Sequence, residues 1–203
     1  AFGVGRVMVR SSIKQQSRRL LDPLARFLAN VGVRPDTLTW IGLVGSAVAG
    51  ALLAYGRFRG AALALLLGAI CDMLDGAVAR VSGLTSRFGA FLDSTVDRAA
   101  EMLLFAGLLV YFARQDGSSL YPLLTFLAAG SSFLVSYTRA RAEGLGIPCS
   151  VGWMERPERL VLLLIAVVFG PQPVRVALWV LFVLTLFTAV QRMLHVRRET
   201  RLP

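Results

Sequence analysis

Asp72, Asp75, Asp93 and Asp97 fall within one stretch, Cys71 to Arg98, whose surroundings are apolar enough to lie in a membrane. An ionised carboxylate in hydrocarbon is unfavourable by at least about 3 kcal/mol, so an acid at that depth is a candidate for function. If both halves of the stretch are helical, Asp72 and Asp75 share a face at i, i+3, and Asp93 and Asp97 share one at i, i+4. The segment VSGLTSR between them is short and rich in turn formers. Helices joined that way run antiparallel. The end of the first then lies beside the start of the second, and all four carboxylates can converge at one depth.

Converging carboxylates repel one another and need a counter-charge. Oxygen donors, with a single His in the whole chain and only Cys71 close by, suit a hard cation such as Mg²⁺ or Mn²⁺. Four acids are enough for two ions at the roughly 3.5–4 Å spacing of two-metal phosphoryl chemistry. A competing class is a non-enzymatic cation or proton transporter. That needs polar groups at several depths, whereas these acids cluster at one end. A lipid-binding scaffold would explain the basic residues of the chain but not its acids.

The pattern Asp72-x-x-Asp75-Gly76-x-x-Ala79-Arg80, eight further residues, then Gly89-x-x-x-Asp93-x-x-x-Asp97, resembles the signature of the CDP-alcohol phosphotransferase family. The resemblance implies transfer of a substituted phosphate from a CDP-alcohol to an acceptor hydroxyl, with CMP leaving. It implies Asp72, Asp75 and Asp93 as ligands of Mg²⁺ or Mn²⁺, with Asp97 at the edge of the site as a fourth ligand and as general base. Pro35-Asp36-x-x-Thr39 matches a family segment that holds the nucleotide end of the donor, so Asp36 and Thr39 are expected there. Gly76 and Gly89 are either packing glycines or bare backbone against the nucleotide, and the motif favours the second reading. Arg80 either snorkels or answers the diphosphate, and Ser86 joins the same CDP-lipid site. A homodimer is implied as well.

The elements that must position these residues are set by composition. Hydrophobic residues make up 56% of the 203 and charged ones 17%, with a mean hydropathy of +0.65. Those values belong to a polytopic membrane protein. A net charge of +10 on a soluble protein would suggest nucleic acid. Here the basic residues flank apolar spans, so membrane lipids and phosphorylated substrates are the expected partners, and nucleic acid is not. Cys71 and Cys149 are too few for a disulfide framework and read as a small buried residue and a loop thiol. No cleavable signal peptide is expected, because the start lacks a compact apolar region behind a basic one.

Apolar segments can be laid out at about 37–55, 61–80, 88–112, 121–142, 157–169 and 174–194. The expected fold is an all-α integral membrane protein of about six transmembrane helices, forming one domain over 31–203. An amphipathic juxtamembrane helix over about 11–30 precedes it, with Lys14, Arg18, Arg19 and Arg26 beside Ile13, Leu20, Leu24 and Phe27. Asp36 is expected to cap the first span, and Gly56–Gly60 and Gly170–Pro173 to turn the chain. Gly42, Gly45, Ser46, Ala49 and Gly50 permit close helix contact. With six spans, only Arg57, Arg59, Arg114 and Arg175 fall on the side opposite the aspartates. The excess of Lys and Arg with the aspartates marks that side as cytoplasmic and the bilayer as the cell membrane.

A second constellation bears on the acceptor. Ser136, Arg139 and Arg141 end the fourth span, Arg156 and Arg159 begin the fifth, and Arg192 ends the sixth, all on the cytoplasmic side. Guanidinium forks grip phosphate bidentately, which points to a phosphorylated acceptor, although flanking arginines also arise from topology alone. Ser136-Tyr137-x-Arg139-Ala140-Arg141-Ala142-Glu143, Glu155-Arg156-Pro157-Glu158-Arg159-Leu160 and Gln191-Arg192 resemble the branch of the family that joins CDP-diacylglycerol to inositol phosphate. Position 139 is Arg where that branch is expected to have Lys. Glycerol 3-phosphate is the alternative acceptor. Glu101, one turn past Asp97, is expected to pair with Arg98 or another cation rather than to ligate metal.

Overall fold

The structure, a computed structural model, describes residues 22–115 and 117–200, and every regular element among them is helical. Helix α1 covers 22–30. It is followed by α2 (Pro35–Ala54), α3 (Phe58–Val81), α4 (Arg87–Gln115), α5 (Leu120–Glu143), α6 (Arg156–Phe169) and α7 (Pro171–Glu199). Most of the juxtamembrane helix expected over 11–30 lies outside the described residues; its final part is α1.

Three helix starts differ from the sequence reading, each for a local reason. Pro35 opens α2, so Asp36 sits inside the first turn instead of capping it. There its charge still faces the positive end of the helix dipole. Helix α3 begins at Phe58, within what reads as a turn, because Phe58 is buried against the edge of Tyr111 at a centroid distance of 4.9 Å. Helix α7 takes in Pro171 and Pro173, whose missing N–H groups need no partner in a first turn.

Among the described residues four helices, α2, α3, α5 and α7, are long and apolar enough to cross a membrane. Of the six expected, α4 has the length, 29 residues, but carries Asp93, Asp97, Arg98 and Glu101 in its first half. Helix α6 has only 14 residues, about 21 Å of helix against roughly 30 Å of hydrocarbon. Large apolar side chains face outward along α2, with Trp40, Val44 and Val48 on one stripe. Such a surface suits lipid as the solvent. The chain is an all-helical integral membrane protein.

The chain divides into two compact units. The first joins the described part of Ala1–Gly45 to Leu67–Ala99. Its core is Ala25, Leu38, Leu74, Ala77 and Val78. Helices α2 and α3 meet closely here, since a Cβ on Gly42 would stand 3.3 Å from the Gly68 carbonyl oxygen. The reversal from α3 to α4 is fixed at both ends. Leu84 N donates to Ala79 O at 3.0 Å across Gly83, whose φ of +69° favours a residue without a side chain. Gly89 N then donates to Ser86 Oγ at 2.9 Å, which caps α4.

The second unit joins Ser46–Leu66 to the described part of Ala100–Pro203. Its core includes Leu53, Phe58, Leu65, Leu104, Leu108, Phe112, Leu163, Val167, Leu178 and Leu181. Helix α7 packs along α5 and against α6. Helices α2 and α4 cross backbone to backbone: a Cβ on Gly107 would fall 2.1 Å from the Gly50 carbonyl oxygen.

Candidate active site

Helices α3 and α4 carry out the convergence that the acid spacing requires. One carboxylate oxygen from each of Asp72, Asp75 and Asp93 lies within 4.8 Å of the others. Unit charges at that separation repel by on the order of 3 kcal/mol per pair at an effective dielectric of about 20. An all-oxygen set of three carboxylates fits a hard divalent cation and leaves coordination places for substrate oxygens. The turn at Gly83 and the cap at Ser86 produce this register.

Asp97 stands outside the three-carboxylate set. It is 8% exposed, with Oδ2 3.7 Å from Arg98 Nη1, and Arg98 is itself anchored on the Ser94 carbonyl. Of the four acids expected as ligands, three converge in this set, and Asp97 lies one helical turn beyond Asp93 on α4. The separation follows from the i, i+4 rise along α4, about 6 Å.

A cavity of about 220 Å³ opens beside the acids within the first unit. Asp36, Thr39, Gly76, Arg80, Ser86 and Gly89, all expected at the CDP-lipid, line it together with Asp75 and Asp93. Thr39 does more than line it, because its hydroxyl donates to Asp75 Oδ2 at 2.7 Å. That bond orients a carboxylate of the acid set. Arg80 folds back over Gly76, where a Cβ would stand 3.3 Å from Nη1. Ser86 has a structural duty as the cap of α4, and a Cβ on Gly89 would approach its Oγ to 3.1 Å.

In the second unit, Arg192 lies within electrostatic reach of Arg139, Arg159 and Glu155. It is 2% exposed, donates from Nε to Val151 O at 2.9 Å, and also donates from Nη1 to the Val135 carbonyl. Arg139 is exposed and bonds Glu143 Oε1 at 2.8 Å from Nε. Ser136 is half-buried one turn before it, Arg141 is exposed on the same helix, and Arg156 is the first residue of α6. Arg159 is in a different state. Its Nε and Nη2 donate to the two oxygens of Glu101 at 2.7 and 2.8 Å, and Nη1 donates to Met154 O at 3.2 Å.

The partner of Glu101 is therefore Arg159 rather than Arg98. Sequence announced that an acid in an apolar run needs a cation but not which one. Thr188 gave no signal at all. Its Oγ1 accepts from Met154 N at 3.2 Å and from Trp153 N at 3.3 Å. The methyl of Thr188 stands where a Cβ on Gly152 would have to be, only 2.4 Å away.

The chain matches the profile of CDP-alcohol phosphatidyltransferases over residues 32–191. It is similar to a phosphatidylinositol phosphate synthase of Streptomyces avermitilis, 39% identical over 97% of this chain and 86% of that protein. Among solved structures it is similar to Mycobacterium tuberculosis phosphatidylinositol phosphate synthase with CDP-DAG bound, with a TM-score of 0.81 and 35% identity, covering 88% of this chain and 94% of that one. The same mycobacterial enzyme in complex with manganese and citrate gives a TM-score of 0.81 at 35% identity, covering 87% and 88%.

Proposed function

The chain belongs to the CDP-alcohol phosphatidyltransferase family, and on that premise we propose that it transfers the phosphatidyl group of CDP-diacylglycerol to inositol phosphate, giving phosphatidylinositol phosphate and CMP. One observation carries the reading: the six residues expected at the CDP-lipid line one cavity together with Asp75 and Asp93 of the acid cluster. The relatives named for this activity support the choice of acceptor.

Asp72, Asp75 and Asp93, with Asp97 at the edge of the site, would hold Mg²⁺ or Mn²⁺, as a pair of ions, which when bound supplies Lewis-acid charge to the diphosphate. Thr39 keeps Asp75 in its ligating orientation. Asp36, Thr39, Gly76, Arg80, Ser86 and Gly89 seat the CDP-lipid, with the Arg80 guanidinium available to a phosphate oxygen. Ser136, Arg139, Arg141, Arg156, Arg159 and Arg192 receive the acceptor phosphate. Asp97 takes the proton of the acceptor hydroxyl. The hydroxyl oxygen forms the new bond to the phosphatidyl phosphorus, the bond from that phosphorus to CMP breaks, and CMP leaves with the electron pair.

We place the catalytic end at the cytoplasmic face of the cell membrane, because Lys and Arg are concentrated on that side when α4 and α6 also cross. A homodimer is proposed from the family, with mass in detergent as its check. The acceptor is tested by CMP release from CDP-diacylglycerol with inositol phosphate, free inositol or glycerol 3-phosphate. Turnover with inositol phosphate alone is expected. Turnover with glycerol 3-phosphate instead would keep the acid site and overturn the reading of the arginines.

A further inference from the structure

We propose that Arg57 and Arg59, with the first turn of α3, bind the headgroup of an anionic phospholipid, at the end of α3 opposite the one that bears Asp72 and Asp75. The inference does not depend on which acceptor the catalytic site takes.

The chain reverses tightly at this end. Arg57 N donates to Leu52 O at 2.8 Å and Gly56 N to Leu53 O at 2.9 Å, across a Gly56 φ of +71°, so α3 opens directly after α2 closes. Phe58 is buried against Tyr111, while its neighbours Arg57 and Arg59 are exposed. Both line a cavity of about 560 Å³, whose other walls include Gly60, Phe169 and Gly170, where α6 gives way to α7. That is room for a phosphodiester headgroup. The cavity has one sign of charge. Ala61 N bonds Arg57 O, which leaves the amides of residues 58–60 without a helical acceptor at the positive end of the α3 dipole. The Arg57 side chain, just before them, has no acceptor atom, and the first turn of α3 has no acid. Among the described residues no carboxylate pairs with Arg57 or Arg59.

A lipid accounts for more of this surface than a free anion does. Leu63 and Leu66 follow Arg59 at i+4 and i+7 on α3, and they are 59% and 44% exposed. Phe169, on the cavity wall, is 73% exposed. A cationic rim above an apolar stripe matches a phosphate headgroup whose acyl chain runs down the helix. The guanidinium forks grip the phosphate oxygens, and a choline headgroup would bring its own positive charge against them. The other arginines that the sequence puts on this side are placed differently. Arg175 lies over the Tyr121 ring, 4.8 Å from its centroid, and Arg114 falls in the last turn of α4, outside the cavity.

The experiment measures binding of phosphatidylglycerol and phosphatidylcholine to delipidated protein in detergent, for wild type, the double variant Arg57→Gln with Arg59→Gln, and Arg114→Gln. Thermal midpoints without lipid are the folding control. Wild type is expected to bind phosphatidylglycerol about tenfold or more tightly than phosphatidylcholine, and the double variant to lose about tenfold or more of that affinity. Arg114→Gln should match wild type. Any phosphatidylglycerol held in the donor cavity is common to all three proteins, so the difference between them reads this site. Equal affinity of wild type for the two lipids would overturn the proposal. So would unchanged phosphatidylglycerol binding by the double variant, which would put the lipid elsewhere. Should the double variant fail to fold, Arg59→Gln alone decides, with a loss of about threefold or more expected and wild-type affinity contradicting the site. A last arm adds inorganic phosphate, which is expected to leave phosphatidylglycerol in place. Displacement of the lipid by phosphate in wild type but not in the double variant would make this a free-anion site and overturn the lipid assignment.

Discussion

The hydroxyl of Thr39 donates to the carboxylate of Asp75 at 2.7 Å, so a residue that lines the cavity also orients one of its acids. Removing the hydroxyl as Thr39→Val should raise the Mg²⁺ concentration that half-saturates CMP release by about 10- to 100-fold, while Thr39→Ser stays near wild type. A magnesium titration of the rate checks this. Asp97 makes a different prediction, because it stands apart from the three converging carboxylates. Asp97→Asn should lower kcat by about 10²- to 10⁴-fold and leave CDP-diacylglycerol affinity unchanged, as read from donor binding and turnover on the same sample. The four aspartates were legible in the sequence because ionised acids in an apolar run are too unfavourable to be incidental. The hydrogen bond of Thr39 was not, since a threonine four residues after Pro35 reads equally well as a nucleotide contact. Nor was the Glu101–Arg159 pair, because spacing along a helix does not say where a long side chain reaches.

At the scale of elements, the tightest constraint is the crossing of α2 and α4, where a Cβ on Gly107 would collide with the Gly50 carbonyl oxygen. Gly107→Ala should lower the thermal midpoint in detergent, a destabilisation of about 1–3 kcal/mol. Gly130→Ala on α5, where a Cβ meets nothing within 4 Å, should leave it unchanged or slightly raised. Equal midpoints for the two variants would remove the close crossing. Helix existence and order were legible from apolar length and glycine punctuation. The small residues of α2 announced close contact, and Gly42 and Gly50 both make it. Helix starts were less legible, since Pro35 and Pro171 look like turn residues until they are seen as the first residues of helices. The reversal between α3 and α4 was anticipated from VSGLTSR, although the cap that Ser86 supplies to α4 was not.

At the scale of the molecule, membrane integration was legible from composition, whereas the number of spans was not. Helix α4 hides its length behind charged residues that the site needs, and α6 is too short to be counted by apolar length alone. Sidedness gives a prediction for the whole chain. In a protein lacking Cys71 and Cys149, a cysteine placed at Ser82 should react with an impermeant thiol reagent only from the cytoplasmic side, and one at Ser118 only from the other. Labelling of both from one side would overturn the topology. Metal-dependent phosphatidyl transfer at the α3–α4 acids is the activity from which every other role follows. Its most direct test follows CMP and lipid product together, using purified protein, CDP-diacylglycerol and inositol phosphate. Equimolar CMP and phosphatidylinositol phosphate with Mg²⁺, none with EDTA, and recovery on adding Mg²⁺ or Mn²⁺ is the result expected. CMP and lipid product formed at full rate in EDTA would contradict it.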